Sequence, residues 1–271
     1  RIVFYKEQRI LFGIMEWIVG DRDKVFDLPW GQQNGLAANI LIGGVGRDDA
    51  GRAWAAGFKL LTDKPEFKGK FIFVDGTGTQ LMQLATQASD IWVSMPRSTR
   101  EACGTSDQRA LINIATKTGG PMEYIVNGVN GWLMDALDGL GYGFDDVVLI
   151  LNRGGDLANH LIGVIHSRLQ LLLGQRLQEA TALYYGNRPR WLEMLKAAYD
   201  IKQDKLHITR MCRQYAEVFN LIRSGNVTAE SIAALGERMK DISEKNLLNR
   251  LAASTDQASR GRKSADPNAS D

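Results

Sequence analysis

The feature that most constrains this chain is a set of short apolar runs in its first half, separated by stretches of helical periodicity. The run Ala38-Asn39-Ile40-Leu41-Ile42 is closed by Gly43-Gly44, Lys70-Phe71-Ile72-Phe73-Val74 follows, and Asp90-Ile91-Trp92-Val93-Ser94 is stopped by Pro96. Runs this short, bounded by turn residues, read as buried strands. Asp48 and Asp49 open a segment carrying Ala53, Trp54, Phe58 and Leu61, and a second segment runs from Thr79 to Ala88; both read as helices. A helix near Ser106 to Ile114 and a strand at Ile114-Ala115-Thr116 are predicted next. Strands alternating with helices predict an α/β unit with a parallel sheet and right-handed crossovers. Ligands of such sheets sit at the carboxyl ends of the strands. The turn after the third run is therefore the most informative stretch.

Ahead of the first strand, Lys6 to Gly20 carries Ile10, Leu11, Ile14, Trp17 and Ile18 at helical spacing, followed by a polar loop with Pro29, Gly31 and Gly35. After about Gly143 the pattern changes to long helical segments: Leu157 to Tyr185, Trp191 to Lys202, Ile208 to Arg223 and Ala229 to Ala253. Their charged positions read as solvated faces. From Ser254 to Asp271 large apolar residues are almost absent, so the tail cannot offset its ordering entropy and is expected to be disordered. The pattern predicts a Rossmann-like domain over residues 1–143, a helical annex packed on it over 144–253, and a tail over 254–271.

Charge and composition narrow the function. A net charge of +2 over 271 residues argues against a nucleic-acid or membrane partner, and no apolar run approaches a membrane span. Cys103 and Cys212 are far apart and form no metal-type spacing, which fits a reducing cytoplasm. His160, His166 and His207 are scattered through helical segments and read as structural or surface histidines; no metal is expected. The chain opens on Arg1 and reads as part of a longer protein.

Three stretches carry chemistry. Arg1-Ile2-Val3-Phe4-Tyr5-Lys6 places a guanidinium fork and a point charge ahead of a predicted helix, where both can hold one anion. Taken alone, the same residues read as a frayed terminus and a surface charge. Glu101-Ala102-Cys103-Gly104-Thr105-Ser106-Asp107-Gln108 follows the strand that ends Met95-Pro96-Arg97, and Gly104 permits close backbone approach. The bland reading is a helix capped by Thr105 or Ser106. The third stretch is Pro189-Arg190-Trp191 with Met194, then Arg210-Met211 and Tyr215.

In this order the three stretches resemble the C-terminal half of the α-glucan phosphorylases, including glycogen and maltodextrin phosphorylases, across most of residues 1–225. The resemblance implies the C-terminal domain of a GT-B fold and a retaining hexosyltransferase. Its donor would be a sugar phosphate or nucleotide sugar, and its acceptor an α-glucan or oligosaccharide. By the same resemblance Arg1, Lys6 and Glu101 are the catalytic residues, with Glu101 binding donor-sugar hydroxyls. Arg1, Lys6, Gly104, Thr105 and Ser106 would form the donor and phosphate site, and Arg109 would join it as a resting place for a donor diphosphate or a non-covalently held cofactor phosphate, or would pair with Glu101 or Asp107. The acceptor site and any general acid would come from the missing N-terminal half, so the fragment alone is expected to be inactive. A homodimer is among the assemblies allowed.

Two departures qualify the match. Gly119-Gly120-Pro121 with Glu123, then Asn127-Gly128-Val129-Asn130-Gly131-Trp132, looks more like nucleotide-sugar glycosyltransferases, or is a pair of turns. Position 109 is arginine where the phosphorylases carry the lysine that binds pyridoxal phosphate as an imine. The family leads one to expect that cofactor, but a guanidinium stays protonated and cannot form the imine, so covalent attachment is not expected. A nucleotide-sugar transferase of the glycogen-synthase sort, or a non-catalytic carbohydrate- or partner-binding homologue, are the alternatives.

Overall fold

The computed structural model describes residues 1–76, 78–97, 100–101 and 104–237. The predicted tail, the end of the last predicted helix, and Cys103 lie outside the described residues.

The chain begins with an arm that pairs with the first sheet and then turns inward. Where the periodicity predicts one helix from Lys6 to Gly20, the structure has 3-10 turns at Phe4–Lys6 and Gln8–Gly13 and then α1 (Met15–Val19). The interruption is Glu7, which takes a left-handed backbone at φ 52 and cannot continue a right-handed helix. Ile10, Ile14, Trp17 and Ile18 are nonetheless buried, as the spacing requires. The predicted polar loop is a hairpin: β1 (Val25–Leu28) pairs antiparallel with β2 (Gly31–Asn34). Its second strand, Gly-Gln-Gln-Asn, lacks the apolar alternation that signals a strand. The hairpin is anchored from outside, by Trp17 Nε1–H donating to the Asn34 carbonyl at 2.8 Å and by Trp17 meeting Trp30 edge-to-face.

Two parallel sheets follow. β3 (Ile40–Gly44) crosses through α2 (Asp49–Leu61) to β4 (Phe71–Asp75), its parallel partner. Asp48 caps α2 by accepting from Gly51 N–H at 2.6 Å. Ile2, Met15, Val19, Phe58, Phe67 and Phe71 form the core beneath this sheet. The chain continues through α3 (Thr79–Ala88), β5 (Trp92–Ser94), α4 (Thr105–Arg109), β6 (Asn113–Thr116), α5 (Pro121–Tyr124) and β7 (Gly131–Met134). The order β5-β6-β7 is parallel throughout, and all four residues of the central β6 are buried, as expected for a parallel strand covered on both faces. α4 is shorter than the predicted Ser106 to Ile114. Asn113 Nδ2–H donates to the Asp107 carbonyl at 3.0 Å, which satisfies a carbonyl of the last turn and sends the chain into β6.

Helices dominate from here: α6 (Phe144–Arg153), α7 (Gly155–Gly186), α8 (Arg188–Lys205) and α9 (Ile208–Arg223). Ala158, Leu161, Ile165, Leu169, Leu173, Leu177 and Ala180 form the buried stripe of α7, at steps of three or four. α7 is tied to the arm by Gln170 Nε2–H donating to the Ile10 carbonyl at 3.1 Å. The chain divides into two compact units, Arg1–Leu195 and Lys196 onward. Within the first, Trp191 and Met194 are buried, with Trp191 edge-to-face on Tyr184. Within the second, α9 has no buried residue. The architecture is thus mixed α/β with parallel strands and a helical C-terminal part. No described helix is long and apolar enough to cross a membrane.

Candidate functional site

The loops that leave the carboxyl ends of β5, β6 and β7 frame an open cleft of about 900 Å³. This is where a parallel α/β sheet places its ligands. Arg100 and Glu101 come from the loop after β5, Lys117, Thr118 and Gly119 from the loop after β6, and Asp135 with Tyr142 from the segment after β7. Threonines hold these loops together. Thr116 Oγ1–H donates to the Pro96 carbonyl at 2.7 Å, and Thr118 Oγ1–H to the Glu101 carbonyl at 3.2 Å.

Glu101 is joined here by the arm. Lys6 Nζ lies 2.9 Å from Glu101 Oε2, and both side chains are largely buried, 20% and 13% exposed. Arg1 is exposed and nearby. Its carbonyl accepts from Gln8 Nε2–H at 3.1 Å, and its main chain lies within electrostatic reach of Lys6, Arg47 and Glu101. A carboxylate that can accept from hydroxyls thus sits among cations that can donate to an anion.

The arm is held from two sides. Asp48 Oδ2 accepts from Phe4 N–H at 2.9 Å while its Oδ1 caps α2; these two backbone amides hold its carboxyl below the usual range. The other side is a buried ionic network. Glu7 Oε1 accepts from Arg97 Nε and Nη2 at 3.2 and 2.5 Å, Oε2 accepts from Arg9 Nε at 3.1 Å, and His166 Nδ1 lies 3.4 Å from Oε2. Burial pushes the Glu7 carboxyl up. Hydrogen bonds from His166 and Arg97 and the charges of Arg97 and Arg9 outweigh it and bring it down to about 2.

Of the predicted site residues Glu101 is on the cleft lining, and Arg1, Lys6, Gly104, Thr105, Ser106 and Arg109 are not. Gly104 is buried at the N-terminus of α4, where a Cβ would come within 2.6 Å of Asp107 Oδ1. Neither Thr105 nor Ser106 caps α4: the N-cap is Gly104, and no side chain bonds it. Thr105 and Arg109 are exposed and Ser106 is half-buried. The second glycine-rich stretch divides. Gly119 lines the cleft, whereas Asn127 and Asn130 bond the local backbone and hold a turn.

Sequence reasoning missed Glu7, Arg97, Lys117 and Asp135. Lys117 Nζ pairs with Asp135 Oδ2 at 2.9 Å on the cleft wall. Its position directly after a predicted strand was the available signal. Nothing in the spacing singles out Glu7.

The chemistry of these donors can be tested against pyridoxal phosphate, the cofactor the resemblance implies. An imine needs a neutral primary amine. Arg109, at the position where the resemblance puts the imine, presents an exposed guanidinium, while the lysines near the cleft are in ion pairs, Lys6 with Glu101 and Lys117 with Asp135. Position 109 therefore does not fit a covalently attached cofactor. Among the described residues no cluster of three His, Cys, Asp or Glu side chains could hold a metal.

Comparison with known proteins gives a consistent direction. No family model matches the chain. It is 26% identical over 174 residues, 63% of this chain, to the glycogen phosphorylases of Mycobacterium bovis and Mycobacterium tuberculosis, and covers 18% of each. To the maltodextrin phosphorylase of Thermococcus litoralis it is 25% identical over 186 residues, 66% of this chain and 20% of the relative. The chain spans about a fifth of the length of these curated relatives, and over that span it is distantly similar to glycogen and maltodextrin phosphorylases.

Proposed function

We propose that this chain is the donor-binding, C-terminal portion of a phosphorylase-like retaining hexosyltransferase of the cytoplasm. It would move a hexosyl group between a phosphate-bearing donor and an α-glucan-type acceptor. On this reading residues 1–143 are the Rossmann-like C-terminal domain of a GT-B fold and the helices beyond are its annex. The observation that carries the proposal is the 2.9 Å pair of Lys6 with Glu101. Two of the three stretches that resemble the phosphorylases are far apart in sequence, and they meet at the carboxyl edge of a parallel sheet beside a cleft. Sequence similarity to phosphorylases supports the same reading.

Lys6 and Arg1 would hold the donor phosphate and stabilise its charge as it departs, the kind of electrostatic stabilisation that dominates many transfers. Glu101 would accept hydroxyls of the donor sugar and keep Lys6 oriented. The amides at Gly104, Thr105 and Ser106 and the Arg109 guanidinium are assigned to the donor's oxygens. The acceptor site is assigned to the rest of the parent protein. Pyridoxal phosphate would not be attached as an imine at position 109, because arginine cannot form one. A second reading, transfer from a nucleotide sugar, is also compatible with Arg109, since that chemistry needs no imine, although Glu101-x7-Arg109 departs from the Glu-x7-Glu pattern of such transferases.

The test is calorimetric titration of the full-length parent protein with glucose 1-phosphate and, separately, with nucleotide-glucose. Glucose 1-phosphate should bind, and Lys6→Ala should weaken it by about 1–3 kcal/mol, the range for a charge-assisted hydrogen bond. Binding of nucleotide-glucose alone would select the second reading. Binding of neither would leave a non-catalytic homologue. Borohydride reduction followed by mass analysis should find no pyridoxyl adduct on a lysine near the cleft.

A further inference from the structure

We propose that Glu7 and Arg97 are positioning residues whose buried ion pair sets the placement of Lys6 against Glu101; the inference rests on the donor-site reading above. Glu7 directly follows Lys6, and Arg97 stands at the foot of the loop that carries Glu101. One residue of the arm therefore pairs with Glu101 of the cleft lining while the next is locked inside the protein. Glu7 is fully buried and Arg97 is 5% exposed. Arg97 is fixed further by its N–H, which donates to the Tyr5 carbonyl at 2.7 Å, and by its guanidinium, 4.7 Å from the centre of the Phe4 ring. Backbone and side chain of one arginine thus grip the three arm residues Phe4, Tyr5 and Glu7.

The arrangement is costly for a purely structural role. An apolar pair of similar volume is often as stable as a buried ion pair or more so, because both charges must leave water. Glu7 also keeps a left-handed backbone that disfavours any side chain. What the pair adds is direction. Oε1 takes the two forked donors of Arg97, and Oε2 takes Arg9 from the arm and faces His166 from α7, so the carboxylate is held from three elements at once. A carboxylate with both oxygens occupied cannot rotate, and the neighbouring Lys6 inherits its backbone geometry.

The experiment measures the acetylation rate of each lysine by mass spectrometry in the full-length parent protein, wild type against Glu7→Gln, and the affinity of glucose 1-phosphate for both. Loss of positioning frees Lys6 from Glu101, so Lys6 should label about fivefold faster, as for release of a modest ion pair. Lys117, paired with Asp135 elsewhere on the cleft, should be unchanged. Glu7→Asp, which keeps the charge, should restore most of the protection. A merely structural role would raise labelling at all lysines together or leave the ratio of Lys6 to Lys117 unaltered, and either result overturns the proposal. Should Glu7→Gln not fold, Arg97→Lys keeps the charge but loses the fork and should raise Lys6 labelling by a smaller factor; an unaltered Lys6 to Lys117 ratio in that variant would again overturn it. Selective labelling of Lys6 in a protein whose wild type binds no glucose 1-phosphate would sink the donor-site reading and leave the positioning role supported.

Discussion

The two parallel sheets of this chain both end in glycine-bearing turns, and they use them in opposite ways. After β3, the space beside the glycines is filled by the chain's own arm. Ile2 N–H donates to the Val45 carbonyl at 3.0 Å, and Arg47 N–H donates to the Ile2 carbonyl at 3.1 Å. A Cβ at Gly51 would stand 2.0 Å from the Ile2 carbonyl oxygen, and one at Gly44 2.9 Å from Ile2 Cγ1. After β6 and β7, Gly119, Gly139 and Gly141 border an open cleft, and a Cβ at Gly141 would meet nothing within 4 Å. In the first turn glycine permits close approach of backbone. In the second it permits a left-handed conformation, φ +74 at Gly141. A glycine-rich turn thus marks a ligand site only where the protein has not already filled it.

The largest effect expected from this contrast is at Gly51. Gly51→Ala forces a methyl against backbone that cannot withdraw without breaking the Ile2 pairing, and should cost about 3 kcal/mol. Chemical denaturation would measure it; a near-neutral result would mean that the arm is not seated on α2.

Acid should come next, through the network that ties the arm to the second sheet. The folded Glu7 carboxyl is depressed to about 2, below its ordinary 4.5. Its contribution is therefore fully present above about pH 5 and is lost as pH falls toward 2, on the order of 3 kcal/mol in all. Glu7→Gln should flatten that part of the stability profile between pH 5 and 2. A profile as steep as the wild type's would place the acid sensitivity elsewhere.

Gly141→Ala, on the open side, should cost only the left-handed strain, about 1 kcal/mol. Equal losses at positions 51 and 141 would erase the distinction between the filled side after β3 and the open side after β7. The smallest effect belongs to Lys117→Ala, since its pair with Asp135 is exposed on the cleft wall and such pairs contribute roughly 0–1 kcal/mol. A larger loss would mean that the cleft wall depends on this ion pair for its shape.

The sequence itself determined the alternation of strands and helices. β3, α2, β4, α3, α7, α8 and α9 fall where local periodicity places them, because the spacing of apolar residues is a property of contiguous chain. It also singled out Lys6 and Glu101 as chemically suited residues. It did not reveal the hairpin β1–β2, whose strands are held by Trp17 and Trp30 instead of by their own pattern. Nor did it distinguish Glu7 from a solvated glutamate, Ile2 from any apolar residue of an extended arm, or Lys117 from a surface charge. Those assignments were decided by the tertiary structure alone. Whether a charge is buried, and whether two charges stand 3 Å or 30 Å apart, depends on packing between elements distant in sequence, and at these distances the energy changes steeply with separation and exposure. Local spacing carries no record of either.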